Sequence, residues 1–203
     1  IRDRHNNEAD LIKIGKIANQ LGTPIVFDPV AVGASQYRKD FCKNFLSEVK
    51  VAVIKGNASE ILTLIDTNTT MKGTDGDSSL NAIEIAKKAH QKYHTAIVVT
   101  GKEDIVVQDG KVTQLSNGSP MSAKITGAGC LLGGIITSFL FRNNQPQQET
   151  LVEAVSFYNI AGEIAENADH VKGPGSFLPE LLDQMYLLDY QTFEKYVRKE
   201  EVE

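Results

Sequence analysis

The stretch Ala96–Leu115, AIVVTGKEDIVVQDGKVTQL, decides the fold, because the pattern of the chain changes within it. Its first five residues, AIVVT, read as a strand that ends in Thr100-Gly101. Its last twelve, DIVVQDGKVTQL, read as two strands around Asp109-Gly110, a dipeptide that favours a tight hairpin turn. Upstream of the change, helices and strands alternate. Asn7–Leu21 spaces Leu11, Ile14, Ile17, Ala18 and Leu21 as a helix does. Gly22 ends that helix, and Pro24 opens PIVFD, a short continuous apolar run typical of a strand buried on both faces. A helix from Tyr37 to Leu46 leads to the strand VAVIK (Val51–Lys55), and Asn57 caps a helix through Ile65. Asp77 or Ser78 starts a fourth helix, with Leu80, Ile83, Ala86, Ala89 and Tyr93 on one face.

Downstream, KITGAGCLLGGIITSFLF (Lys124–Phe141) leads from glycines into an apolar helix. A second long helix, from Thr150 to Asn167, holds Leu151, Ala154, Val155, Tyr158, Ala161 and Ala165 in register. The loop KGPGSF separates it from a final helical region with a charged tail. The alternation implies an α/β fold: a mainly parallel central sheet, helices on both faces and an antiparallel hairpin at one side. No linker or repeat divides it, so residues 1–203 are expected to form a single domain.

A hydrophobic fraction of 41% and a charged fraction of 23% suit a soluble globular chain. The net charge of −5, with Lys and Arg scattered, speaks against a nucleic-acid partner, which needs a basic face. The longest apolar run, Cys130–Phe141, is shorter than the ~20 residues that span a bilayer. Cys42 and Cys130 are too few for a disulfide framework and suggest a reducing, cytoplasmic setting. No histidine has ligand spacing with either cysteine, so zinc is not expected.

In open α/β sheets ligands gather at the carboxyl ends of strands. Four polar segments fall at such ends: DPVAVGAS, KGNASE, TGKED and TGAGC. TGAGC lacks the Lys-Ser/Thr of a phosphate-binding P-loop, and Leu132 stands where the third glycine of a dinucleotide fingerprint belongs. What remains is a set of backbone N–H groups at a helix start, able to hold an anion and to favour a thiolate at Cys130. The alternative is a plain turn with Cys130 as a small core residue. Asp28 is either a Mg²⁺ carboxylate or part of an Asp-Pro turn. Lys55 can meet phosphate oxygens as a point charge. Glu60 either supports a magnesium ion or completes a capping box with Asn57. Thr100 is a nucleotide contact or a turn residue. Asp75 and Asp77 lack the downstream Glu of a calcium loop and read as turn and cap residues, while Cys42 reads as core.

Taken in order, VFDPVAVGAS, VIKGNASEI, VVTGKEDIVV, NGSP and TGAGCLLGGII resemble the hydroxyethylthiazole kinase family of the ribokinase-like superfamily, over about Leu11 to Phe177. The resemblance implies ATP-dependent, Mg²⁺-requiring phosphorylation of the primary alcohol of 4-methyl-5-(2-hydroxyethyl)thiazole in the thiamine pathway. It implies that Lys55 and Thr100 bind ATP, that Gly127 contacts the substrate and that Asp28 and Glu60 serve the metal and phosphate site. Cys130 falls beside the reacting hydroxyl, where most of the superfamily keeps an aspartate. Gly127, Ala128, Gly129 and Cys130 would form the anion hole, and the assembly would be a homotrimer with sites between subunits. Two departures stand out. Lys55 occupies a position where many relatives have Arg, and the family's N-terminal part lies outside this sequence, so the chain is expected to be N-terminally incomplete. Three other readings compete: a ribokinase-like kinase of hydroxymethylpyrimidine or a sugar, a non-catalytic binding module, and a thiol sensor that pairs Cys130 with Cys42.

Overall fold

Six short strands lie side by side in chain order: Val26–Phe27 (β1), Val53–Asn57 (β2), Ala96–Thr100 (β3), Asp104–Gln108 (β4), Lys111–Leu115 (β5) and Lys199–Glu201 (β6). This arrangement comes from a computed structural model, which describes residues 4–65, 78–141 and 145–202. β1, β2 and β3 run parallel, and each later neighbour is antiparallel. The helices are Arg4–Gln20 (α1), Gln36–Glu48 (α2), Ala58–Ile65 (α3), Ser78–Tyr93 (α4), Ala128–Leu140 (α5), Gln148–Glu166 (α6), Pro174–Leu187 (α7) and Tyr190–Tyr196 (α8). Asp109 and Gly110 both take positive φ, 54° and 74°, as a two-residue hairpin turn demands.

Alternate strand residues feed two cores. Ile54, Ile97, Val99, Ile105 and Val107 pack with α2, α3 and α4 on one face. Val53, Val98, Val106 and Leu115 pack with α5, α6 and α7 on the other, around Ile136, Leu140, Leu151 and Phe177. The period of two along each strand therefore supplies both layers from one sheet. It also sends Lys55, two residues after Val53, towards the α5 side.

Four readings of the sequence change. PIVFD is not a strand buried on both faces: Val26 and Phe27 pair, they are half-buried, and among the described residues β1 is the end strand of the sheet. Pro24 and Pro29 flank it, and proline has no N–H to extend a ladder. β2 is Val53–Asn57 rather than Val51–Lys55, so Lys55 sits inside the strand and pairs with Val98. The charged β6 escapes a pattern reading because exposed Lys and Glu suit an edge strand that pairs through its backbone alone. Helix α7 begins at Pro174, inside the segment expected to be a loop.

Helix α1 forms, but Leu11, Ile14, Ile17 and Leu21 are exposed. Its contact with α2 is centred on Gly15, where an added Cβ would lie 2.7 Å from a Val49 methyl. Asn19 adds a clamp, giving a hydrogen bond to the Lys50 carbonyl and taking one from the Lys50 N–H. Asp75, Asp77 and the side chain of Leu80 lie outside the described residues.

Candidate functional site

Asp28 stands one residue beyond β1, on the same side of the sheet as Lys55 of β2. The Lys55 ammonium donates to Asp28 Oδ2 at 2.9 Å and to the Gly129 carbonyl at 2.9 Å. Lys55 is 3% exposed. A charge so placed needs a counter-ion and acceptors, and the ion pair with Asp28 and the helix carbonyl supply both. Gly129 is small for a matching reason: a Cβ there would come within 3.1 Å of Lys55 Nζ. The structure thus brings Asp28, Lys55 and the glycine turn together from three distant parts of the chain.

Gly127 is the N-cap of α5, at φ 92°, and offers no side chain to cap the helix. The N–H groups of Gly129 and Cys130 have no carbonyl to reach within their own helix. They remain donors for an anion, with the helix dipole behind them. Cys130 is exposed and Ala128 is buried. The core reading of Cys130 is therefore corrected, while Cys42 is buried as read, and burial pushes its thiol up to about 11. Cys42 belongs to the core on the α2–α4 face and Cys130 to the α5 face, and both are free. A sensor that pairs the two thiols is ruled out in this fold.

Glu60 adopts the capping box that its spacing from Asn57 suggests. Its Oε2 accepts from the Asn57 N–H at 2.9 Å, and Asn57 Oδ1 accepts from the Glu60 N–H at 2.9 Å. Its Oε1 accepts from the Ala31 N–H at 2.9 Å, so Glu60 also ties the loop after Asp28 to α3. That loop needs a tie, since Ala31 holds a left-handed φ of 54°. Among the described residues no three His, Cys, Asp or Glu side chains gather around a common point. A cation here would be held as Mg²⁺ commonly is, by one or two carboxylates together with water and phosphate oxygens. Asp28 and Glu60, hard oxygen donors at the same end of the sheet, fit that manner of binding.

Thr100 ends β3 half-buried, and the chain turns at Gly101 into β4. The first residue of β4, Asp104, is a site neighbour that sequence reasoning missed. It is 5% exposed, and burial pushes its carboxyl up to about 6 against the opposing pull of its hydrogen bonds and of Lys55. Gly101 N–H donates to Oδ1 at 2.9 Å and Asn159 Nδ2 donates to Oδ2 at 2.7 Å. Tyr158, read as core, donates its hydroxyl to the Ala128 carbonyl at 3.0 Å, and burial pushes that phenol up to about 12. The available signal was Asn159, a polar residue between Tyr158 and Ile160 on an apolar helix.

A separate cleft of about 710 Å³ lies at the carboxyl end of α6, lined by Gly118, Glu163, Asn167, Gln184, Tyr196 and Arg198. Glu163 accepts there from Asn117, from the Gly118 N–H and from Arg198. It contains none of Asp28, Lys55 and Cys130. Among the described residues no helix is long and apolar enough to cross a membrane.

The model of the Hydroxyethylthiazole kinase family matches residues 4–191. A hydroxyethylthiazole kinase of Staphylococcus haemolyticus is 68% identical over 97% of this chain and 75% of its own length. The solved structure of a hydroxyethylthiazole kinase protein from Pyrococcus horikoshii superposes with a TM-score of 0.83 at 31% identity, over 97% of this chain and 72% of that one. A ribokinase-like superfamily protein from Enterococcus faecalis shares the fold, with a TM-score of 0.53 at 20% identity over 81% of this chain and 52% of its own. With its family model matched along most of its length and close relatives on both counts, this chain belongs to the hydroxyethylthiazole kinase family.

Proposed function

We propose that the protein transfers the γ-phosphoryl group of ATP to the primary alcohol of 4-methyl-5-(2-hydroxyethyl)thiazole, in thiamine biosynthesis and salvage. The observation that carries this reading is the meeting of Lys55, Asp28 and the Gly127–Cys130 turn at the carboxyl ends of β1 and β2, in a chain of this family.

Phosphoryl transfer passes through a loose transition state, so its catalyst mainly positions groups and stabilises charge. The N–H groups at Ala128–Cys130 form the anion hole for the moving phosphoryl, with Gly127 against the alcohol substrate. Lys55 and Thr100 contact ATP. The buried Lys55 ammonium is held in place by Asp28 and Gly129, so little reorganisation is needed when the phosphates arrive. Asp28 and Glu60 would hold Mg²⁺ between them, with Glu60 keeping its capping bonds. When bound, the ion neutralises charge on the phosphate oxygens. Cys130 lies beside the reacting hydroxyl, where a loose transition state lowers the demand for a strong base. The whole chain acts as one ribokinase-like domain, in a cytoplasmic homotrimer with sites between subunits, as the resemblance implies.

The test is a coupled assay of ADP formation with the purified full chain, ATP and Mg²⁺. ADP is expected only when the hydroxyethylthiazole is present. ADP formed with hydroxymethylpyrimidine or a sugar instead would reassign the substrate, and none with any alcohol would leave a binding module.

A further inference from the structure

Asp104 has no part in the roles proposed above, yet it lies beside the site and is almost wholly buried. A carboxylate is kept in the interior only where hydrogen bonds replace its water. The two bonds here come from different segments: Gly101 N–H, in the turn after β3, and Asn159 Nδ2, on α6. The residue before Asn159, Tyr158, reaches the Ala128 carbonyl at the start of α5. Adjacent helix residues diverge by roughly 100° at 3.6 residues per turn. One turn of α6 therefore grips two separate segments, the Thr100–Gly101 turn and the glycine turn. At 5% exposure Asp104 is enclosed by the protein, and its two oxygens accept from protein donors.

We infer that Asp104, acting with Asn159 and Tyr158, is a positioning residue that holds the Thr100–Gly101 turn at a fixed separation from the Gly127–Cys130 turn. The inference rests on the phosphotransfer reading, in which Thr100 contacts ATP and the glycine turn receives the moving phosphoryl. The separation matters because a displacement of about 1 Å between such groups costs on the order of 100-fold in rate.

The chemistry of the pair suggests a polarity swap as the test. Asp104→Ala removes both acceptors, so Gly101 N–H and Asn159 Nδ2 lose their shared partner. The double variant Asp104→Asn/Asn159→Asp keeps both bonds, since the introduced amide then accepts from Gly101 and donates to the new carboxylate on α6. Asp104→Ala is expected to lower kcat about 10- to 100-fold with KM for the thiazole alcohol changed less than about threefold. The double variant is expected to avoid most of that loss. Tyr158→Phe is expected to cost less in the Asp104→Ala background than in the wild type, as coupled residues do. Should Asp104→Ala not fold, Asn159→Ala breaks the α6 link alone and is expected to lower kcat about 10-fold.

Amide exchange at Gly101 supplies a readout independent of turnover. It is expected to be slow in the wild type and the double variant and fast in Asp104→Ala. Wild-type kcat in Asp104→Ala, an equal loss in the double variant, or equal Gly101 exchange in all three would overturn the inference. An inactive wild type with the expected exchange pattern would instead sink only the phosphotransfer reading.

Discussion

At the scale of the residue, Cys130 and Lys55 show how neighbours assign a role that side-chain type alone leaves open. A cysteine after a glycine turn can be a core filler or a working group, and its exposure on α5 beside unpaired N–H groups removes the first option. Cys130→Ala is expected to lower kcat at least about 10-fold, more than it raises the KM for ATP, whereas Cys130→Asp retains measurable turnover. Steady-state kinetics with ATP and the thiazole alcohol check both, and equal kcat for Ala and wild type would show that the thiol does no chemistry. Lys55 reads as a candidate phosphate ligand from its place in KGNASE, but its partners do not show in the sequence. Asp28 and Gly129 lie 27 and 74 residues away, and only the fold brings them to one ammonium. Glu60 is the opposite case: its capping bonds follow from a local spacing of three residues.

At the scale of the element, α6 is the busiest helix of the site face. It packs Leu151, Val155 and Tyr158 against the sheet, places Gln148 under the hairpin and sends Tyr158 and Asn159 to the site turns. Gln148 Nε2 donates to the Val106 carbonyl and to Thr113 Oγ1, so the helix and the hairpin share a buried polar contact. Ser156 of the same helix is fully buried, and among the described residues its hydroxyl has no hydrogen-bond partner. A buried hydroxyl without a partner costs free energy, and alanine is the better helix former. Ser156→Ala is therefore expected to raise the unfolding free energy by about 1 kcal/mol, measured by urea titration. A loss of stability would mean that the hydroxyl has a bonding role. Helix positions were legible throughout because they follow the apolar period, but the exposed face of α1 was not. Its contact face is chosen by Gly15, whose missing side chain carries no hydrophobic signal.

At the scale of the whole molecule, the sheet and α6 together enclose a carboxyl group. Asp104 begins β4 with its carboxyl enclosed, facing Lys55 from β2, Tyr158 and Asn159 from α6 and the Gly101 N–H. Its carboxyl titrates at about 6 in the fold against an ordinary value of 3.8. Between those values the folded protein keeps a proton that the unfolded chain has released. Unfolding free energy therefore falls as pH rises through that window, and the loss is complete above about 6. A shift of this size corresponds to roughly 3 kcal/mol. Relative to wild type, the Asp104→Asn variant is expected to gain about 2–3 kcal/mol between pH 4 and pH 7, on top of any constant offset from its changed hydrogen bonds. Urea unfolding of both proteins across that range provides the check, and parallel curves would contradict it.

Local pattern alone determined the order of helices and strands, the hairpin at Asp109-Gly110 and the capping box at Asn57, since each depends on residues close in the chain. The ordered motifs also pointed to the family, because their sequence is specific even where each is weak alone. Tertiary structure decided the rest. It placed β1 at an edge, paired a charged tail as β6 and set Lys55 between Asp28 and Gly129. It also buried Asp104, which in the sequence is one more polar residue in a turn. The physical reason is common to all of them: burial and pairing depend on which distant segment covers a group, and no local period encodes that.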